Sequence, residues 1–346
     1  LLTPGCVVPQ PRGQGELRHV VEPTTKRGYY LYLPSEYVQT DEAGRRARQW
    51  PTVVTFHGMK PFDAALSQAR EWQQEADRYG FVVIAPELVA PSLLKQFPVR
   101  HMTSSFEQDE AATLAILDHV FATTEADQEN VLSTSWSSGG YLAHFMLNHH
   151  PDRFSCLAVR QSNFSDEILD PSLTPRSRTY PILVVYTQHD FGIVKSECQE
   201  AVKWYETHGY EHFGWVELRG LGHARTPDAA AVFFANLAGV EPNTPPLVLM
   251  NRQAMDGNAR GLAFMSGRAS AVSENGQSHA ARDASKGGNS NPAVRASRGG
   301  NTNTQGTLAA RDSERSEPPP TRAAPVNSAV AIRVSSAIGT TPLLIA

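Results

Sequence analysis

Short apolar runs alternate with helical patterns through the first two thirds of this chain, and that alternation limits its fold more than any other feature. Runs that read as strands are LRHVV (17–21), GYYLYLP (28–34), TVVTFHG (52–58), FVVIAPE (81–87), NVLSTSW (130–136), SCLAVRQ (155–161), PILVVYT (181–187) and FGWVELRG (213–220). Helical spacing fills 64–79, 106–123, 138–149, 194–208 and 229–237. Strands separated by helices need crossover connections, which predicts a mainly parallel sheet covered by helices on both faces, the α/β class. TVVTF and ILVVY are nearly continuous in hydrophobicity, as strands buried on both sides are, and the first two strands, with no helix between them, predict an antiparallel edge.

The pattern ends near residue 243. From 251 onward the chain is Gly, Ser, Asn, Ala, Arg, Thr and Pro with few aromatic or β-branched runs, a composition that buries too little apolar surface to offset chain entropy. The sequence therefore predicts a leader remnant or linker over 1–14, one folded domain over 15–243 and a low-complexity, mostly disordered tail over 244–346. Residues 251–346 hold eleven Lys and Arg against six Asp and Glu, so of the chain's net charge of −4 the first 250 residues carry −9. An acidic body argues against nucleic acid as a partner. A monomer is expected.

Three cysteines are too few for a disulfide framework. Cys156 and Cys198 read as buried structural thiols, with a bridge between them as the alternative. The opening LLTPGC resembles the end of a bacterial lipoprotein signal, in which Cys6 would carry a lipid and anchor the protein to a membrane outside the cytoplasm; an ordinary frayed terminus is the other reading. No stretch approaches the ~18 apolar residues of a spanning helix.

In open α/β sheets, ligands bind beyond the carboxyl ends of the strands. Four segments fall there. The frame Ser135-Trp136-Ser137-Ser138-Gly139-Gly140 places Ser137 on a strand-to-helix turn, where a nucleophile needs small neighbours because the backbone is strained. The following helix would aim its free amides at the serine, and the Ser138 N–H is a candidate oxyanion donor. TVVTFHGMK supplies a second: Gly58 permits the turn and the Met59 N–H faces the site. His57 reads as a substrate contact or as a packing residue, not as the base. Serine must be activated by a base held by a third group. Asp190 ends one strand and the glycine-bracketed His223 follows the next, giving the chain order Ser, Asp, His of elbow hydrolases. Trp136 either packs beneath the elbow or lines the substrate pocket.

With those residues in place, the chain from about Gly28 to Leu237 resembles the α/β-hydrolase superfamily, and within it the secreted esterases similar to poly(3-hydroxybutyrate) depolymerases and feruloyl esterases. The resemblance rests on RGYYLYLPSEY, VVTFHG, ADRYGFVVIAPE, SWSSGGYLAHFMLNHHPDRFSCLAV, VVYTQHD and GLGH. It implies Ser137 as nucleophile, His223 as base and acid, Asp190 as the carboxylate orienting it, and the Met59 and Ser138 amides as oxyanion hole. It implies ester hydrolysis on a small or polymeric substrate without a cofactor. Ser135 departs from the pattern by standing where a glycine is usual, and residues 91–108 show no substrate motif. His149, His150 and Asp152 do not form a metal cluster, since adjacent histidines at a helix end point apart, and no metal is expected. Two rivals stand beside the esterase: a serine peptidase similar to the prolyl-oligopeptidase type, and a binding protein that keeps the fold without catalysis.

Overall fold

The structure, a computed structural model, describes residues 15–90, 97–243 and 254–265. In chain order the elements are β1 (Glu16–Val21), β2 (Gly28–Leu33), α1 (Ser35–Gln39), α2 (Glu42–Arg46), β3 (Trp50–Phe56), α3 (Ala65–Tyr79), β4 (Val82–Pro86), α4 (Ser104–Thr123), β5 (Ala126–Ser137), α5 (Gly140–His149), β6 (Cys156–Ser162), α6 (Thr174–Ser177), β7 (Ile182–Thr187), α7 (Gly192–Thr207), β8 (Phe213–Leu218), α8 (Pro227–Ala238), β9 (Ala254–Gly257) and α9 (Ala259–Met265). The strands form one sheet in the order β1-β2-β4-β3-β5-β6-β7-β8-β9. The interior from β4 to β8 is parallel, and β1, β2 and β9 run antiparallel to their neighbours.

Side chains alternate across the sheet, so each buried strand feeds two cores. Val54 and Phe56 of β3, with Ile182, Val184 and Tyr186 of β7, pack with Ile116, Leu117, Met146 and Val194 from α4, α5 and α7. Val53, Leu183 and Val185 point the other way, onto Trp72 and Ala76 of α3 and Phe233 and Phe234 of α8. Local signals set the helix ends. The Thr103 side chain caps α4 by accepting the Phe106 N–H at 3.3 Å. Gly80 ends α3 in the left-handed region at φ 77°, where its amide bonds the Ala76 carbonyl at 2.8 Å.

One expectation needs correction: the folded domain does not end at 243. β9 pairs with β8, setting Val216 opposite Gly257 and Leu218 opposite Ala254. Asn258 ties the return, accepting the Trp215 N–H at 3.2 Å and donating to the Phe213 carbonyl at 3.2 Å. Gly261 lies so close to β8 that a Cβ there would stand 2.2 Å from the Trp215 carbonyl oxygen. Four strand residues followed by seven helical ones are too short for a periodic signal. The leader reading with Cys6, residues 244–253 and the tail beyond 265 lie outside the described residues. Cys156 and Cys198 are both free and buried, which removes the bridge between them.

Candidate active site

Ser137 ends β5 with φ at 57°, a left-handed conformation that a non-glycine residue adopts only when its surroundings hold it there. Three features hold it. The turn closes with the Gly139 N–H on the Trp136 carbonyl at 3.3 Å, and the Ser137 carbonyl accepts the Asn163 N–H at 2.9 Å. A Cβ on Gly139 would stand 2.3 Å from the Phe56 carbonyl oxygen and one on Gly140 would stand 2.3 Å from that of Asn163, so α5 can leave the sheet at this angle only with glycine at both positions. Ser135 is tolerated in place of glycine because β6 supplies a partner: its buried Oγ lies 2.8 Å from Ser162 Oγ.

The loop after β3 leans on this corner, with Gly58 close enough that a Cβ would be 3.0 Å from Ser137 Cβ. His57 is fully buried and both ring nitrogens are engaged by backbone: Nδ1 sits 2.7 Å from the Gly58 carbonyl, and Nε2 accepts the Leu88 N–H at 3.0 Å. Burial pushes its pKa below the ordinary histidine range, consistent with a neutral ring that donates at Nδ1 and accepts at Nε2. The reading of His57 as a substrate contact is therefore withdrawn; the ring has no face left for a ligand. It does something else. The Gly58 carbonyl and the Met59 N–H belong to one trans peptide and point in opposite directions, so a carbonyl pinned by His57 aims that N–H away from the ring. Asp63 pins the preceding amide, Oδ2 accepting the Gly58 N–H at 2.7 Å. Among the described residues the Met59 and Ser138 amides carry no hydrogen bond, as donors reserved for an oxyanion would.

On the other side of Ser137, β7 and β8 deliver Asp190 and His223. Asp190 Oδ1 lies 2.7 Å from His223 Nδ1, with the carboxylate fully buried and the imidazole largely so. The same oxygen takes the Phe191 N–H at 2.7 Å, which orients the carboxylate. This pairing fixes the His223 tautomer with the proton on Nδ1 and leaves Nε2 as the basic nitrogen. No hydrogen bond joins Ser137 Oγ to His223; in unliganded sites that bond is often long and tightens only around a reacting group. Trp136 packs rather than lining a pocket: it is buried, its ring centroid is 4.4 Å from that of His223, and Nε1 donates to the Ala224 carbonyl at 3.3 Å. The exposed ring is Phe191, 4.9 Å from His223.

A partly buried polar network behind the site escaped the sequence reading. Arg225 Nη2 bonds Asp63 Oδ1 at 2.7 Å and Nη1 bonds Glu71 Oε2 at 2.6 Å, while the guanidinium lies 4.1 Å from the Trp136 ring centroid. Burial works against the Arg225 charge, but the Glu71 and Asp63 carboxylates hold its pKa above the ordinary value. Glu71 is shared with the fully buried Arg160. A second carboxylate, Glu197 of α7, supports Asn163 from below, accepting its Nδ2 at 2.8 Å and the Tyr141 hydroxyl at 2.9 Å. Glu71 and Glu197 sit in amphipathic helices where an acidic residue signals nothing by itself; only the fold brings them here. Among the described residues no cluster of three His, Cys, Asp or Glu is placed to hold a metal ion.

Among solved structures the chain is similar to FphF, a fluorophosphonate-binding serine hydrolase of Staphylococcus aureus, with a TM-score of 0.51 at 12% identity over 64% of this chain and 99% of that one. The fold is that of an α/β-hydrolase. A ferulic acid esterase of Anaeromyces mucronatus matches at TM-score 0.48 and 15% identity over 66% of this chain and 91% of its own. An S-formylglutathione hydrolase of Agrobacterium tumefaciens matches at 0.46 and 13%, over 66% and 94%. No family model matches the sequence, and no curated protein does. Ser137 ends β5, and Asp190 and His223 follow β7 and β8, so all three stand at the carboxyl ends of parallel strands.

Proposed function

We propose that this protein is a serine hydrolase that cleaves carboxylic esters through an acyl-enzyme. The observation that carries the reading is the strained Ser137 at the end of β5, flanked by two unpartnered amides on one side and a buried carboxylate–imidazole pair on the other. Ser137 Oγ attacks the ester carbonyl as His223 Nε2 takes its proton, and Asp190 stabilises the imidazolium through Nδ1–H. The tetrahedral oxyanion accepts the Met59 and Ser138 N–H groups, whose dipoles are already oriented and need no rearrangement. Collapse expels the alkoxide, protonated by His223; water, deprotonated by the same nitrogen, then frees the acid and restores Ser137. No cofactor enters any step.

The same groups could cleave a peptide bond, since an amide also passes through a tetrahedral oxyanion. Turnover of 4-nitrophenyl esters and aminoacyl 4-nitroanilides, run side by side on wild type and Ser137→Ala, separates the readings. Ester turnover that disappears in the mutant, with anilide turnover at least about 100-fold slower, supports the esterase. Preferred anilide cleavage replaces it with a peptidase, and a fully active Ser137→Ala removes both.

A further inference from the structure

We infer that Arg225 is a positioning residue that locks the oxyanion loop to the base loop, so that the two halves of the proposed ester-cleaving site are held as one unit. The inference rests on the reading above. Arg225 lies two residues beyond His223, yet its guanidinium reaches across to Asp63 at 2.7 Å, five residues beyond Gly58. An unbroken series of contacts runs from the base to the oxyanion loop: the His223 ring on Trp136 at 4.4 Å, Trp136 under Arg225 at 4.1 Å, Arg225 on Asp63, and Asp63 on the Gly58 amide at 2.7 Å. Both Nη groups are taken by carboxylates, so the cation is directed at the protein rather than at a substrate.

The two carboxylates do not depend on Arg225 equally. Glu71 keeps a second cation in Arg160, whereas among the described residues Arg225 is Asp63's one ion-pair partner. The Asp63 carboxylate is fully buried. Without Arg225, Oδ1 loses its partner and the buried carboxylate is held only through Oδ2, by the Gly58 N–H at 2.7 Å and Gln68 Nε2 at 2.8 Å, so its hold on the Gly58 amide loosens. Loss of Arg225 is therefore felt first at the oxyanion loop, on the far side of Ser137. Lysine cannot replace it fully, because one ammonium does not bridge two carboxylates while lying flat on an indole.

The test uses the full chain as Arg225→Gln and Arg225→Lys. It measures the rate of phosphonylation by a fluorophosphonate, kcat and KM on a 4-nitrophenyl ester, and amide hydrogen exchange of peptides covering 57–63 and 221–226. For the Gln variant we expect kcat and phosphonylation to fall by about 10- to 100-fold, as for a small misplacement of reacting groups. KM should stay within about threefold and exchange should quicken in both peptides; Lys should restore part of the rate. A folded Gln variant with wild-type rates and exchange overturns the inference, and so does a change confined to KM. If the Gln variant does not fold, the Lys variant decides: a loss in kcat with KM steady supports the lock, and wild-type kinetics overturns it. A wild type that neither labels nor turns over esters removes the esterase reading alone, because the exchange of the two peptides still reports whether Arg225 couples the loops.

Discussion

The loops on the two sides of Ser137 are built on different principles. The proposed oxyanion loop is held from inside: a fully buried imidazole on one peptide, a fully buried carboxylate on the preceding amide, and an arginine behind that carboxylate. The loops carrying Asp190 and His223 are tied to each other, by the His189 N–H on the Leu221 carbonyl at 2.8 Å, the Gln188 N–H on the Leu218 carbonyl at 2.9 Å and Thr187 Oγ1 donating to the Gly222 carbonyl at 2.7 Å, and they carry the exposed Phe191 on the rim. Under the proposed esterase reading, the difference follows from what each side would do. Amide dipoles stabilise developing charge only if they are already aimed, so looseness there costs rate directly. An imidazole that trades protons with a serine, a leaving alcohol and a water tolerates small displacement, provided its tautomer is kept.

Substitutions can break or sharpen that contrast. Ser137→Ala removes the group both loops serve and should cost on the order of 10⁵- to 10⁶-fold in kcat with the melting temperature little changed; an active folded mutant contradicts the assignment. Asp190→Asn takes the tautomer control from the base loop and should cost about 10⁴-fold, measurable as residual ester turnover. His57→Ala frees the Gly58–Met59 peptide without touching the base, and kcat should fall by about 10²-fold. Phe191→Ala, on the open rim of the base loop, should move KM by no more than about threefold. Were the His57 and Phe191 effects reversed in size, the contrast between the loops would be wrong.

The smallest effect is one of stability. The folded pKa of His57 is lowered by burial, so below the unfolded value of about 6.5 the unfolded chain binds a proton that the native state refuses. Native stability contributed at neutral pH is thus lost as pH falls below about 6.5. His57→Gln can keep a donor and an acceptor in place but cannot titrate. The melting temperature of wild type minus that of this variant should fall between pH 7 and 5; a constant difference would mean that His57 is not held neutral by its burial.

Much of this corner was legible in the sequence because its signals are local. Strand, serine and two glycines lie within a dozen residues, and Asp190 and His223 each follow a strand run within a few residues. Met59 and Ser138 followed from the same turns. What could not be read are partnerships between distant positions: Asp63 with Arg225 is 162 residues apart and Glu197 with Asn163 is 34. Charged residues on amphipathic helices look alike until the sheet order decides which of them are buried. The sequence leaves His57 between a substrate contact and a packing residue for a related reason, since the choice depends on Leu88, just after β4, a contact that no spacing in the chain announces. The domain end was misplaced because β9 is short and acquires its meaning only by pairing with β8.

The most direct test of the account is to treat wild type and Ser137→Ala with a fluorophosphonate and map the modified peptide by mass spectrometry. The account predicts stoichiometric phosphonylation of wild type at Ser137 and none in the folded mutant. An unlabelled wild type, or a label on another serine that survives in Ser137→Ala, would contradict it.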